Sequence, residues 1–128
     1  MTKSAVAGIA GAAVLSTAVV TGAASPAFAA MGKGRVQICA VGNYGSYLSF
    51  VGNRPLFATY VAAPGQCVKA DIPVGTTRIS VFGLWSSGNS FEMGAFLASA
   101  SDDPGWKVYT SGSTANGGAT RSWWANRN

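Results

Sequence analysis

The stretch RVQICAVGNYGSYLSFVGNRP, residues 35–55, decides the fold class. Its β-branched, aliphatic and aromatic residues stand at alternate positions in two short runs, and a Gly-Asn pair follows each run. A period of two places successive side chains on opposite faces of a strand, and glycine with asparagine favours a turn. The stretch therefore predicts two neighbouring β-strands, each with one apolar face.

The same pattern continues to the end of the sequence, where short apolar runs alternate with segments rich in glycine, proline, asparagine and serine. The most helix-like run, residues 90–101, carries Gly94 in its middle, which costs a helix about 1 kcal/mol relative to alanine. We therefore predict an all-β fold, a compact antiparallel β-sandwich or small barrel of seven to eight short strands with one disulfide.

Alternation also assigns side chains to the two faces of each strand. The predicted inward positions are Val36, Ile38, Leu48, Phe50, Val68, Ala70, Ile72, Ile79 and Val81. The predicted outward positions are Gln37, Ser49, Lys69, Asp71, Arg78 and Ser80.

The first 29 residues have the composition of a secretory signal peptide. One lysine precedes a run of small and apolar residues from Ala5 to Val20, and Ala27-Phe28-Ala29 is a small-x-small cleavage site. The run is shorter than the roughly 20 residues that span a bilayer. We predict a secreted, extracellular protein without a membrane span, with one β domain over residues 30–128 that starts with a flexible arm, residues 30–35.

The sequence contains two cysteines, Cys39 and Cys67, and no histidine. In the oxidising compartment that the leader predicts, two cysteines form one intramolecular disulfide. Its role is structural, because a redox pair has C-x-x-C spacing and a zinc site has further ligands. We expect no metal and no cofactor.

The lack of histidine also argues against an enzyme, because Ser–His and Cys–His nucleophiles need an imidazole base. Glycoside hydrolysis needs only two carboxyl groups about 5 to 10 Å apart. The four acids available are Asp71, Glu92, Asp102 and Asp103. Asp102 and Asp103 precede Pro104-Gly105 and are typical of a turn. We predict no catalytic residues.

The net charge is +5, from nine Lys and Arg residues against four Asp and Glu. The cations stand singly along the sequence and do not form a run. A nucleic-acid partner is therefore not expected.

Aromatic residues supply the candidate binding surface. Trp123 and Trp124 are adjacent, and in an extended strand their rings point to opposite faces, so one ring lies outside the core. With Arg121 and Arg127 nearby, they are the first candidates for contact with a partner. Three further rings complete the candidate set: Trp85, whose apolar neighbours favour the core, Tyr44 and Tyr47.

We predict foremost a non-enzymatic protein-interaction module, an adaptor or structural subunit of an extracellular, toxin-like assembly. Its two surfaces would be the N-terminal arm and the Trp123-Trp124 end, and its partners other secreted proteins. A small inhibitor of a secreted hydrolase, which presents the loop LWSSGN at residues 84–89, is one alternative. The other is a carbohydrate or cell-wall binding module that pairs Trp85 with Trp124, or Tyr44 with Tyr47, as coplanar exposed rings.

This sequence resembles the small secreted β-sandwich proteins of actinobacteria in its leader, its single cysteine pair and its repeated short strands. Within that group the sequence resembles the adaptor subunit of umbrella toxin particles, which joins a large stalk protein to a lectin-like subunit. It is less similar to the tendamistat-like amylase inhibitors. They have two disulfides and a Trp-Arg-Tyr loop, whereas this sequence has one cysteine pair and TRSWW at residues 120–124. The resemblance to the umbrella-particle subunit implies that this protein is an adaptor.

Overall fold

A computed structural model describes residues 30–53 and 56–128, and the predicted signal peptide lies outside the described residues. Within these ranges the chain forms eight strands and a short 3₁₀ turn, Ala115–Gly118. The strands are β1 Arg35–Ala40, β2 Ser46–Val51, β3 Phe57–Ala58, β4 Cys67–Asp71, β5 Arg78–Leu84, β6 Ser90–Leu97, β7 Trp106–Ser111 and β8 Ser122–Arg127. Over the described part of the chain, no helix has the length and hydropathy needed to cross a membrane.

The strands form two four-stranded sheets that pack on each other, which confirms the predicted all-β sandwich. Sheet I has the order β4-β1-β7-β8, and sheet II has the order β3-β2-β5-β6. The sandwich is not wholly antiparallel, because β1 pairs with β7 in parallel. A parallel pair requires a long connection, and here the chain between β1 and β7 supplies it.

The core between the sheets contains the predicted inward residues of both sheets. Its fully buried centre is formed by Val36, Ile38, Leu48, Ile79, Val81 and Val108. Val68 and Ala70 are partly buried and pack against it. Ser80, predicted to face solvent, is only 4% exposed. It lies on central strand β5 between Ser49 and Ala95, so the neighbouring strands shield its short side chain.

Gly94, which argued against a helix, has a packing role in β6. A Cβ atom at this position would lie 2.6 Å from Cζ2 of the Trp123 indole. The missing side chain therefore lets the Trp123 ring from sheet I pack directly on the backbone of sheet II. This close approach ties β8 to β6 at one side of the sandwich.

Cys39 and Cys67 form the predicted disulfide. They are directly opposite each other on β1 and β4, with their Cα atoms 4.0 Å apart. Cys39 is buried and Cys67 is exposed. The bond therefore links the edge strand β4 to its inner neighbour on the outer face of sheet I.

Residues 30–35, the predicted flexible arm, make backbone hydrogen bonds to distant parts of the chain. Met31 is 8% exposed, its N–H donates to the carbonyl of Asn128, and its carbonyl accepts the N–H of Gly105 at 3.2 Å. Gly34 donates to the carbonyl of Asp102 at 2.8 Å. The arm is held by the C-terminal residue and by the turn before β7, which are distant from it in sequence.

Candidate functional site

The two adjacent tryptophans lie on opposite faces of β8, as alternation predicts. Trp123 faces the core and lies beside Phe96, with a centroid separation of 6.1 Å. Trp124 faces outward, is 43% exposed and pairs with Tyr109 of β7. The Trp124 and Tyr109 rings are stacked, with centroids 5.3 Å apart and planes inclined by 19°. Trp124 is therefore the exposed ring of the pair.

Trp124 belongs to a row of side chains that crosses sheet I on its outer face. In register, Cys67 pairs with Cys39, Cys39 with Tyr109, and Tyr109 with Trp124. We call these four residues the aromatic row. A polar row lies beside it and consists of Lys69, Gln37, Lys107 and Asn126. The site therefore consists of the aromatic row, in which two stacked rings lie at one end and the disulfide at the other, with the polar row along one side.

The outer face of the Trp124 ring is open because β8 is an edge strand. Tyr109 stacks on one face of the indole. Within the described residues no strand of sheet I follows β8, so no neighbouring strand covers the other face. An exposed indole of this kind stacks against flat apolar groups of a ligand or anchors a protein interface. The exposed indole is therefore suited to non-covalent binding of a ligand or a partner protein.

Arg121 does not lie on the surface that Trp124 presents. Arg121 lies three positions before Trp124, immediately ahead of β8, so alternation places its side chain on the opposite face. Its guanidinium lies 4.9 Å from the ring centroid of Trp85 and 4.2 Å from that of Phe91. Its Nε–H donates to the carbonyl of Gly118 at 3.0 Å. Arg121 therefore joins the 3₁₀ turn to the hairpin between β5 and β6.

Arg127 makes the same kind of contact at the other end of β8. Its guanidinium lies 5.3 Å from the ring centroid of Trp106, and its Nε–H donates to the carbonyl of Pro104 at 3.0 Å. The two arginines thus hold loops at opposite ends of the sandwich. Their closeness to Trp124 in sequence does not place them beside it on the surface.

The remaining candidate rings are separated from the aromatic row. Trp85 is half-buried against Phe91, with centroids 4.5 Å apart. Tyr44 is 3% exposed, donates from its hydroxyl to the carbonyl of Ser111 at 2.6 Å, and has a pKa raised by burial. Tyr47 stacks on Phe82 of β5, with centroids 5.2 Å apart. Because Tyr44 is buried, it does not form an exposed platform with Tyr47.

Two of the four acids have structural contacts. Asp71 pairs with Arg35 at 3.2 Å. Asp102 accepts hydrogen bonds from the Trp106 indole N–H at 2.8 Å and from the Ser99 backbone N–H at 2.9 Å. The hydrogen bond from Trp106 lowers the pKa of Asp102. Among the described residues, no group of three acid or cysteine side chains could hold a metal ion.

We expect Asp102→Ala to lower the free energy of unfolding at pH 7 by about 1 to 2 kcal/mol, because the substitution removes two hydrogen bonds to a carboxylate. The native pKa lies below the unfolded value, so this stabilisation is complete above the unfolded pKa, about pH 4. It is lost as pH falls through the native pKa. Urea unfolding of both proteins between pH 2 and 7 measures the difference, and a constant difference across that range would contradict the assignment.

The segment of residues 56–61 was not among the predicted surfaces. Leu56 is 72% exposed, Tyr60 87% and Val61 48%. The signal for this surface is present in the run LFATYVA, residues 56–62, which has apolar residues at both odd and even positions. A strand with one wet face alternates, so this pattern indicates apolar groups outside the core.

Comparison with known proteins gives no match, whether to protein families, to curated sequences or to solved structures.

Proposed function

We propose that this chain is a non-enzymatic, secreted protein-interaction module whose contact surface centres on Trp124. The observation that supports the proposal is the placement of this indole. It stands on the outer face of sheet I, 43% exposed, with one ring face stacked on Tyr109. Leaving a large apolar ring in water costs free energy, so a partner that covers it gains that amount on binding.

The surroundings of Trp124 fit a protein interface. Contact energy in such interfaces concentrates in a few aromatic and arginine residues surrounded by a polar rim. Here Tyr109 and Trp124 form the aromatic centre, and Asn126 of the polar row is an exposed polar group beside them, whereas Lys107 of that row is only 5% exposed. The disulfide and the stacking of Trp124 on Tyr109 hold the aromatic row rigid, which reduces the entropy lost on binding.

An adaptor requires a second surface that is separate from the first. The N-terminal arm does not supply it, because Met31 is buried against the C-terminus. The exposed segment at residues 56–61 is the better candidate. It includes β3, which lies at the opposite edge of sheet II from β6, and β6 is the strand that packs on β8. The two surfaces therefore lie on opposite sides of the sandwich, as a subunit that joins two partners requires.

We expect the wild-type protein to co-purify with another secreted protein from its producer's culture medium, and Trp124→Ala to lose at least about tenfold of that partner, as for a central aromatic anchor. Leu97→Ala is the matched control, since Leu97 is an apolar side chain that is 79% exposed on sheet II. Quantitative mass spectrometry after tag-based capture measures the ratio. Equal capture by Trp124→Ala, or recovery of the wild type only as a free monomer, would contradict the proposal.

A carbohydrate partner is the second candidate, and it is supported by the open indole face. Sugar rings stack on such faces, and the side-chain amide of Asn126, two positions along β8, is a hydrogen-bonding group that suits hydroxyls. Pull-down on chitin, cellulose and cell-wall polymers distinguishes the two candidates. Binding to one of these polymers that Trp124→Ala abolishes would replace the protein partner by a polysaccharide.

A further inference from the structure

We propose that the β3 edge of sheet II is a second binding site, and that its occupant is an extended, uncharged strand of a partner protein. This inference rests on the proposed function, since it identifies the other partner of the interaction module. It does not involve Trp124. Three features of the segment from Leu56 to Val61 support it: a bulge, an open backbone edge and an adjoining cleft.

The bulge lies where β3 leaves its ladder with β2. Ser49 pairs with Ala58, and Ser46 pairs with Ala62. Two residues lie between the paired positions on β2, whereas three lie between them on the β3 side, so the β3 side contains one extra residue. The hydroxyl of Thr59 accepts the N–H of Leu48 at 3.0 Å in place of a backbone carbonyl.

The bulge turns two apolar side chains out of the sandwich. Tyr60 is 87% exposed and Val61 is 48% exposed. Bulges occur where a strand changes the direction of a side chain, often at functional sites. Natural edge strands are usually protected by charged residues, and none stands between Leu56 and Val68. This edge is therefore apolar, exposed and without charge.

The backbone of β3 has an open hydrogen-bonding side. Thr59 donates its N–H to the carbonyl of Leu48 at 2.9 Å, so Thr59 and Leu48 are a hydrogen-bonded pair. Such pairs alternate along an antiparallel ladder with pairs that do not exchange bonds. Ala58 and Ser49 are consequently a non-bonded pair, and the N–H and carbonyl of Ala58 point away from β2. Within the described residues, no strand lies on that side of β3.

A cleft of about 340 Å³ adjoins this edge at the end of the sandwich. Val61 lines it, so the bulge and the cleft share a residue. The cleft has apolar walls that include Pro64, Leu84 and Trp85, its polar lining residues include Asn43, Ser86 and Thr114, and no charged side chain lines it. A charged group placed there would lose hydration without gaining an ion-pair partner, so the cleft favours an uncharged side chain, and its apolar walls favour an apolar one.

The open edge and the cleft together fit addition of a β-strand. In this mode of recognition, backbone hydrogen bonds supply affinity and a pocket for alternate side chains supplies specificity. The N–H and carbonyl of Ala58 would pair with the incoming strand, while one of its apolar side chains enters the cleft beside Val61. A protein segment fits better than a polysaccharide, because only a peptide continues the backbone ladder.

The test selects ten-residue peptides from a displayed random library on the intact wild-type domain. We expect recovered peptides to be uncharged with alternating apolar residues. Affinity should fall at least about tenfold for Val61→Asp, Ala58→Pro and Tyr60→Asp, because each disturbs one part of the site. Val74→Asp is the matched control, since Val74 is 88% exposed elsewhere, and it should bind like the wild type.

Amide hydrogen exchange provides a readout of strand pairing. Bound peptide should slow exchange at Ala58, whose N–H is open in the free protein, and leave Thr59 unchanged because it already donates to Leu48. Tyr60→Asp changes a side chain in solvent and keeps the test valid if Ala58→Pro fails to fold. Peptides recovered from the wild type should also bind Trp124→Ala. This variant therefore tests the β3 edge independently of the Trp124 surface on which the proposed function rests.

Four results would overturn the inference. They are recovery of no peptide above the Val61→Asp background, recovery of mainly charged peptides, equal binding by Val61→Asp, and binding that leaves the Ala58 amide unprotected. A concentration-dependent dimer in light scattering that Tyr60→Asp abolishes would instead identify a second copy of this chain as the occupant. Displacement of the peptide by a soluble oligosaccharide would identify a sugar.

Discussion

Trp123→Ala is expected to lower the free energy of unfolding by about 3 kcal/mol, whereas Trp124→Ala should lower it by less than about 1 kcal/mol. Trp123 fills the space above Gly94 and packs beside Phe96, so its loss leaves a cavity between the sheets. Trp124 is 43% exposed and loses mainly its stacking on Tyr109. Adjacent residues of the same type should therefore have separable effects on stability and binding.

Urea unfolding followed by far-ultraviolet circular dichroism measures both changes, since each variant alters the tryptophan fluorescence itself. Trp123→Phe is the control for ring packing. It should recover more than half of the loss because an aromatic ring still covers Gly94. Similar losses for the two alanine variants would contradict the assignment of Trp124 to the surface, and so would a larger loss for Trp124→Ala.

Alternation predicted the faces of residues inside well-paired strands because it depends only on backbone geometry. It placed Val36, Ile38, Leu48 and Ile79 correctly in the core, and it predicted that the two tryptophans point apart. It did not show that Ser80 is shielded. That shielding depends on which strands flank β5, and the order of strands in a sheet is not encoded in the period of one strand.

It was harder to predict which residues lie together on the surface, because that depends on contacts between distant parts of the chain. Arg121 and Arg127 stand close to Trp124 in sequence, yet each stacks on a tryptophan at one end of the sandwich. The N-terminal arm looked free because it is rich in glycine. Met31 is nevertheless held by Asn128, and this contact exists only after the sheet has formed.

The bulge at Tyr60 shows why an exposed apolar site was missed. The run at residues 56–62 is typical of a strand in composition, and a continuous ladder would have paired it fully with β2. The extra residue appears only when the register of Ser49 with Ala58 is compared with that of Ser46 with Ala62. Register depends on the partner strand as well as on the run itself.

The double variant Cys39→Ala/Cys67→Ala is expected to lower the free energy of unfolding by about 3 to 4 kcal/mol, the chain-entropy value for a crosslink of this separation. The cysteines are 28 positions apart in sequence and directly opposite in register. Without the bond, edge strand β4 is held to β1 by its ladder and by the exposed ion pair of Arg35 with Asp71, which contributes little.

Unfolding with and without a reducing agent measures the contribution of the disulfide. The wild type should lose about 3 to 4 kcal/mol on reduction, and the double variant should not respond, because it has no bond to reduce. Protection should be lost most at β4, where amide exchange at Val68, which is in a hydrogen-bonded pair with Ile38 of β1, should accelerate more than at Val108 in the core. Because Cys39 pairs laterally with Tyr109, the reduced protein should also bind its Trp124-dependent partner more weakly. A double variant as stable as the oxidised wild type would mean that the β-ladder holds β4 without the crosslink.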